Sequence, residues 1–461
     1  MLSCKQTWHT AFHLHLLVHV LAEGATRVYY LGIREVDWNY APLGKNTITG
    51  QSIANDMIAS SFLQPAENRI GSIYRKSVYK QYLDETYTSE IPKPSWLGFL
   101  GPIIRAEVGD TIIVHLKNFG RRPFTIHPHG VFYKKDSEGS LYPDESSSQD
   151  LKKDDAIPPG RNHTYTWTVP EDHGPTDDDP ACLTWIYHSH VDAAKDIATG
   201  LIGPLLICRE GTLKSVSQRR HDADLDFFLM FSVVDENESW HLDQNIASFC
   251  GDPSTVDEED EGFRESNKMH AINGKLYANL PGLTMYEGDW VNWYLLGMGQ
   301  EIDIHTVHFH AETFLYRSGK TYRADVADLF PGTFEVVEML VGNPGTWLLH
   351  CHVADHIHAG METLFTVFPK HDSVLLKTNS YTETPPEDED NGHHFVLFGS
   401  KLAHSQVEAT IIFLAVTGVL LFLIACTFLG VIIYLQRQKR LRRNRRSILD
   451  EGFKLMSTKK H

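Results

Sequence analysis

Short apolar runs rich in aromatic and β-branched residues, punctuated by Gly and Pro, follow one another from residue 25 to residue 371. This pattern predicts strands packed as all-β sandwiches. Two segments depart from it. "AFHLHLLVHVLA" (11–22) is a moderately apolar run followed by small residues, which predicts a secretory signal peptide over 1–24. "ATIIFLAVTGVLLFLIACTFLGVIIYL" (409–435) carries no charge and is long enough to cross a bilayer with some tilt. "RQKRLRRNRR" (437–446) follows at once, and such a basic flank marks the cytoplasmic side. The expected topology is single-pass type I, with residues 436–461 in the cytoplasm and the strand-rich bulk extracellular or luminal.

The strand-rich part contains one unit twice. "AEVGDTIIVHLKN" (106–118) precedes "TIHPHG" (125–130), and "YEGDWVNWYLLG" (286–297) precedes "IHTVHFH" (304–310). Later in each copy an H-x-H closes an apolar run, "LTWIYHSHV" (183–191) and "TWLLHCHV" (346–353). A small-residue turn trails each, "ATGL" (198–201) and "HAGM" (358–361). The expected domains are 25–208 and 227–371, joined by a polar, charged linker at 209–226. An acidic, Pro-rich stalk at 372–408 leads to the span, and "VDEEDEG" (256–262) reads as a solvated acidic loop.

Charge and cysteines refine the picture. The formal net charge of −17 combines an acidic exterior with the basic tail. The tail would meet anionic lipid headgroups, and this topology disfavours nucleic acid as a partner. Asn162 and Asn237 begin glycosylation sequons, which suit an outside face. Of the 6 cysteines, Cys4 lies in the signal and Cys426 in the span. Cys182 and Cys208 could bridge in an oxidising compartment, which leaves Cys250 and Cys351.

The candidate chemistry lies in four H-x-H pairs: His127/His129, His188/His190, His308/His310 and His350/His352. On a strand, residues i and i+2 leave the same face, so each pair presents both rings together. Eight imidazoles suit a cluster of several copper ions. Cys351, between His350 and His352, must face the other way, where His305, His356 and Met361 can join it. Two imidazoles, a thiolate and a distant thioether make a blue-copper electron-transfer site. Ser189 stands at the matching place in the first unit, so electrons would enter only through the second.

These motifs resemble those of the multicopper oxidases, and within them the ceruloplasmin–hephaestin family, over nearly all of residues 25–371. The membrane span and the ending "LRRNRRSILDEGFKL" (441–455) are similar to its hephaestin branch. The resemblance implies two cupredoxin-like Greek-key β-barrel domains plus one C-terminal transmembrane helix. It implies His127 and His308 on a type 2 copper, and His129, His188, His190, His310, His350 and His352 on a type 3 pair. Four coppers per functional unit would take electrons one at a time from Fe(II) and reduce O₂ to water, with Cys351, His350 and His352 as the route. "ESNKMH" (265–270) resembles the segment that supplies a Glu and a His to iron, pointing to Glu265 and His270, with Asp355 as a further acid. "KKDDAIPPG" (152–160) resembles a calcium loop, with Asp154, Asp155 and the carbonyl of Lys135 as ligands. An iron exporter is the implied partner.

The chain departs from that family in length. Family members carry six such domains, and this chain matches the first and the last. In the family's second domain a cysteine at the place of Cys250 pairs with one where Cys351 stands. Here copper claims Cys351, so Cys250 is left over and a seam is expected between about 251 and 285. In the six-domain arrangement the cluster lies between the last domain and the first, not across the first linker. A homotrimer sharing clusters between chains is therefore expected. Two other readings stand beside the ferroxidase: an oxidase of organic phenols or amines, and a truncated copper-binding protein without oxidase activity.

Overall fold

The computed structural model describes residues 24–144, 148–215, 217–299 and 303–370, with a further hairpin at 395–397 and 400–402. Its contacts group residues 1–372 as one compact unit and 373–461 as another. Residues 1–23 of the expected signal, the span at 409–435, the basic tail and nearly all of the stalk lie outside the described residues. Among the described residues no helix is long and apolar enough to cross a membrane.

In the first domain the strands are β1 (Thr26–Asn39), β2 (Ile73–Tyr82), β3 (Ile104–Glu107), β4 (Thr111–Asn118), β5 (His127–Pro128), β6 (Phe132–Tyr133), β7 (Asn162–Thr168), β8 (Cys182–His188) and β9 (Ile202–Cys208). They form two sheets, β2-β1-β4-β7-β6 and β3-β9-β8-β5. β4, "TIIVHLKN", alternates half-buried and buried side chains along its whole length, the period-two signature of a strand packed on one face. Cys182 and Cys208 sit directly opposite each other on β8 and β9 and form a disulfide.

The second domain follows with β10 (Leu225–Asp235), β11 (Lys268–Ile272), β12 (Thr284–Tyr286), β13 (Trp290–Gly297), β14 (His305–Phe309), β15 (Phe314–Ser318), β16 (Lys320–Ala324), β17 (Val326–Leu329), β18 (Phe334–Leu340), β19 (Gly345–Cys351) and β20 (Glu362–Phe368). Its sheets run β11-β10-β13-β18-β15-β16 and β12-β20-β19-β14-β17. The internal repeat is visible as topology. β1 pairs with β2 antiparallel and with β4 parallel, as β10 does with β11 and β13. β9 joins β3 in parallel and β8 antiparallel, as β20 joins β12 and β19. Both domains are thus all-β and cupredoxin-like, each built of two separately hydrogen-bonded sheets.

Local detail departs from the sequence reading in two places. β10 begins at Leu225, inside the stretch expected to be linker. The acidic loop at 256–262 feeds a short helix, Glu261–Ser266, because the Asp260 carboxylate accepts from the Phe263 N–H and caps it.

One apolar cluster is built of first-domain residues around Ile112, Val114, Trp167 and Leu205, with Trp240 packed against it. The larger one is continuous across both domains, taking Tyr74, Leu97 and Phe99 from the first and Phe228, Trp293 and Leu349 from the second. Polar groups are sealed into the same interface. The Lys76 ammonium meets the Glu236 carboxylate with both side chains fully buried, and the Tyr40 hydroxyl donates to that carboxylate. Trp38 Nε1 donates to the Gly274 carbonyl at 2.7 Å, and Tyr74 donates to Asn267 Oδ1 at 2.8 Å.

Candidate metal centre

Cys351 is the last residue of β19 and is fully buried. Its sulfur lies 3.6 Å from His356 Nδ1, which lies 3.2 Å from His305 Nδ1. The ligand atoms of these three residues all fall within 4.8 Å of one another. His305 comes from the neighbouring strand β14, and His356 from the short helix Ala354–His358. His305 Nε2 donates to the Met298 carbonyl at 3.0 Å, which fixes the tautomer and leaves Nδ1 as the free lone pair. Burial pushes the His305 imidazole down to about 4, so it stays neutral and ready to ligate. Burial also raises the Cys351 thiol, so an incoming metal must displace its proton.

Met361 is buried beside this group. Its carbonyl accepts from the Cys351 N–H at 3.0 Å, and its own N–H donates to the His356 carbonyl at 2.9 Å. The preceding turn needs a glycine: Gly360 has φ +106°, and a Cβ there would meet the Tyr277 ring at 2.9 Å. Two imidazoles and a thiolate are a donor set that suits copper.

The imidazoles on the opposite side form two sets of four, one per domain. In the second domain His308 stands opposite His350 in the β14–β19 register. In the first, His127 stands opposite His188 in the β5–β8 register. The sets match in detail. His308 Nδ1 donates to the Asp325 carbonyl at 2.9 Å, and His127 Nδ1 donates to the Glu138 carbonyl at 2.7 Å. His350 Nδ1 donates to the Cys351 carbonyl and His188 Nδ1 to the Ser189 carbonyl, at 2.8 and 2.9 Å. These bonds leave Nε2 free on each ring. Nε2 atoms approach to 3.1 Å between His310 and His350, and again between His129 and His188.

His308 is in ring contact with His310, His350 and His352, and His127 with His129, His188 and His190. His350 likewise touches His308, His310 and His352, and His188 touches His127, His129 and His190, so two rings are central in each set. Burial lowers the pKa of His127, His310 and His350, takes His129 down to about 4 and takes His188 down to about 3.

Register explains why the first domain has no counterpart of the Cys351 group. The places of His305, Cys351 and Met361 fall on Phe124, Ser189 and Leu201, all fully buried or nearly so. Ser189 instead donates to Asp196 Oδ2 at 2.6 Å, and Trp240 Nε1 donates to Asp196 Oδ1 at 2.8 Å.

Within one chain the two imidazole sets are not brought together. Among the described residues, the groups whose ligand atoms all fall within 4.8 Å are His305–Cys351–His356 and His308–His310–His350. Beside the first-domain set the second domain presents Phe334, whose ring lies 6.2 Å from His129 and 6.3 Å from Trp185.

Near His356, the ring of His270 lies 5.3 Å away, and burial takes His270 down to about 4. Glu265 bears on His270 by its charge and pairs with Lys268 at 3.1 Å. Asp355 is exposed on the helix that carries His356. Asp303 was missed by sequence reasoning; its charge, with that of Asp355, pulls the His356 pKa up against the larger effect of burial. Its only sequence signal is its place two residues before His305.

In the first domain Asp154 Oδ1 and Asp155 Oδ1 are buried with no hydrogen-bond partner. Burial raises both carboxyls, and Asp154 raises Asp155 further. Two orphaned carboxylate oxygens fit a calcium ion. The Lys135 ammonium is held by Glu138 and Asp144, so only its carbonyl could serve. Of the sequon asparagines, Asn162 is exposed at the start of β7. Asn237 Nδ2 donates to Asp235 Oδ1 at 2.7 Å and to the Arg264 carbonyl at 2.8 Å.

Two family models, both described as multicopper oxidase, match residues 97–211 and 252–371. Over 348 residues the chain is 60% identical to hephaestin of Homo sapiens, covering 75% of this chain and 30% of that protein. It is 56% identical to ferroxidase HEPHL1 of Homo sapiens over 336 residues, 73% of this chain and 29% of that protein. With ceruloplasmin of Homo sapiens it shares 46% identity over 350 residues, 75% of this chain and 31% of that protein. The chain thus spans under a third of the length of these relatives. The two matched segments contain every residue of both imidazole sets and of the Cys351 group, and the chain belongs to the multicopper oxidase family.

Proposed function

We propose that the chain is a membrane-anchored ferroxidase that oxidises Fe(II) and reduces O₂ to water. The carrying observation is that Cys351 and His350 are consecutive on β19 and belong to different ligand groups on its two sides. Copper held by His305, Cys351, His356 and Met361, and by the eight H-x-H imidazoles, would supply one-electron redox chemistry at both ends of that link. The peptide between Cys351 and His350, shortened by the 2.8 Å bond from His350 Nδ1 to the Cys351 carbonyl, joins the two ends through few bonds.

Fe(II) is the substrate, with Glu265, His270 and Asp355 as its binding groups. Carboxylates bind Fe(III) more tightly than Fe(II), which favours oxidation, and Glu265 must exchange Lys268 for iron. The relatives named as ferroxidases support this reading. Asp154 and Asp155, with the Lys135 carbonyl, would hold calcium. An iron exporter would deliver the Fe(II) that is oxidised. The two half-sets of imidazoles share no ligand group within one chain, so a homotrimer would complete each cluster from the first domain of one chain and the second domain of its neighbour.

The separation of those half-sets also supports a second reading, a copper-binding protein without oxidase activity. Copper content separates the two: about four per chain for the oxidase and about one for a protein with only the Cys351 site. Coexpressing His127→Ala/His129→Ala with His308→Ala/His310→Ala tests the sharing. Partial Fe(II) oxidation in the mixture supports it; none, with both variants folded, overturns it. Glu265→Ala and Asp355→Ala should slow Fe(II) oxidation and spare phenol and amine oxidation. Equal losses would favour the organic-substrate oxidase.

A further inference from the structure

We propose that the junction of the first domain, the 209–226 segment and the second domain binds a small organic anion with an aromatic or aliphatic body. A cavity of about 390 Å³ lies there, bounded by Trp38, Trp96, Phe99 and Ile103 of the first domain, Arg219 of the joining segment and Asp226 of β10. That volume and that place, at a domain interface, are typical of small-molecule sites. A second cavity of about 380 Å³ adjoins it, sharing Trp38, Lys93, Pro94 and Gly98 and adding Lys275. No member of the imidazole sets lines either one.

The cavity lining carries Lys80, Lys93, Arg105 and Arg219 against Asp37, Glu90 and Asp226. Lys80 is paired with Glu90 at 2.8 Å, and Asp37 with Arg75 at 2.9 Å, so those groups are spoken for. Arg105 approaches its nearest carboxylate, Asp226, only to 3.9 Å, beyond hydrogen-bond range, and its Nε is buried without a partner. The Lys93 ammonium donates to the Leu100 carbonyl, and the Lys275 ammonium to the Asn39 carbonyl over the Trp38 ring. Among the described residues neither lysine has a carboxylate partner. Burial takes Lys93 down to about 8 and Lys275 to about 7, and Lys93 depresses Lys275 further.

Lys93 is exposed at the cavity mouth and Lys275 is buried in the adjoining cavity, so two ammonium groups without a carboxylate partner flank this space. Asp226 reaches Arg105 only at 3.9 Å, and a cavity of ligand size is lined by both Arg105 and Lys93. A carboxylate between Lys93 and Arg105 would accept from the Lys93 ammonium and from the unpartnered Arg105 Nε, while its body packs on the aromatic walls. A neutral ligand would leave both cations as they are.

The test is equilibrium dialysis of the copper-loaded full-length chain against naphthalene-2-carboxylate and, separately, its uncharged carboxamide. Saturable binding of one carboxylate per chain is expected, with the amide about tenfold weaker or worse. Lys93→Met should weaken the carboxylate about tenfold, and Lys93→Arg should retain most of the affinity. Bound carboxylate should also slow reductive methylation of Lys93 in the unmutated chain, read by peptide mass spectrometry, which requires no variant to fold. Equal binding of acid and amide, no saturable binding, or no protection of Lys93 would each overturn the proposal.

Discussion

Ser189 and Cys351 hold matching places in the two copies of one unit, and their surroundings decide what each does. Cys351 has His305 and His356 within ligand range. Ser189 has Phe124 and Leu201 where ligands would be, and its hydroxyl supports the buried carboxylate of Asp196. Ser189→Ala removes a donor from that carboxylate and should cost about 1–3 kcal/mol, read as a lowered urea midpoint with copper content unchanged. Ser189→Cys should add a thiol but no further copper. The eight imidazoles and Cys351 were legible from sequence because strand alternation turns an i, i+2 spacing directly into a shared face. Asp303 was not, since an acid just ahead of a strand carries no periodic signal. Sequons are blind to geometry in the same way. Asn162 should carry a glycan and Asn237, whose amide is committed to Asp235 and Arg264, should not. Enzymatic deglycosylation in ¹⁸O water should mark Asn162 alone; a label at Asn237 would contradict this.

At the scale of elements, the repeat announced itself through its matching runs, and the strand pairings reproduce it sheet by sheet. The contact between the two copies was hidden. Lys76 on β2 and Glu236 just after β10 read as ordinary solvated charges, and only the packing of one domain on the other buries them. Burial pushes each toward its neutral form, lowering Lys76 and raising Glu236, and the pair offsets that cost. Lys76→Met leaves Glu236 alone in the core and should destabilise the chain by about 3–5 kcal/mol, whereas the Lys76→Met/Glu236→Leu double variant should lose less. Urea unfolding of the three proteins gives the comparison. Lys275 makes a different demand on the same interface. Its folded pKa, about 7, lies below the unfolded value of about 10.4, so between those limits the unfolded chain binds more protons and stability rises with pH. Lys275→Met should flatten that rise; an unchanged slope would place its origin elsewhere.

For the whole molecule, the decisive feature is which faces the imidazole sets occupy. The first-domain set borders Phe334 of the second domain, while the second-domain set lies on the β14–β19 sheet with His352 exposed. Two half-sets that share no ligand group within one chain make copper the agent of association in the proposed trimer. An ion bound by imidazoles from two chains stabilises the assembly by mass action and not the separated chains. Stripping copper should therefore shift crosslinked full-length protein from trimer toward monomer, and restoring copper should bring the trimer back. His308→Ala/His310→Ala should weaken association about as much as copper removal does, since it empties one half of every shared site. Cys351→Ser should leave association intact, because the Cys351 group lies inside a single domain and bridges nothing. If Cys351→Ser dissociates the trimer while the double histidine variant does not, copper shared through the H-x-H faces is not what holds the chains together.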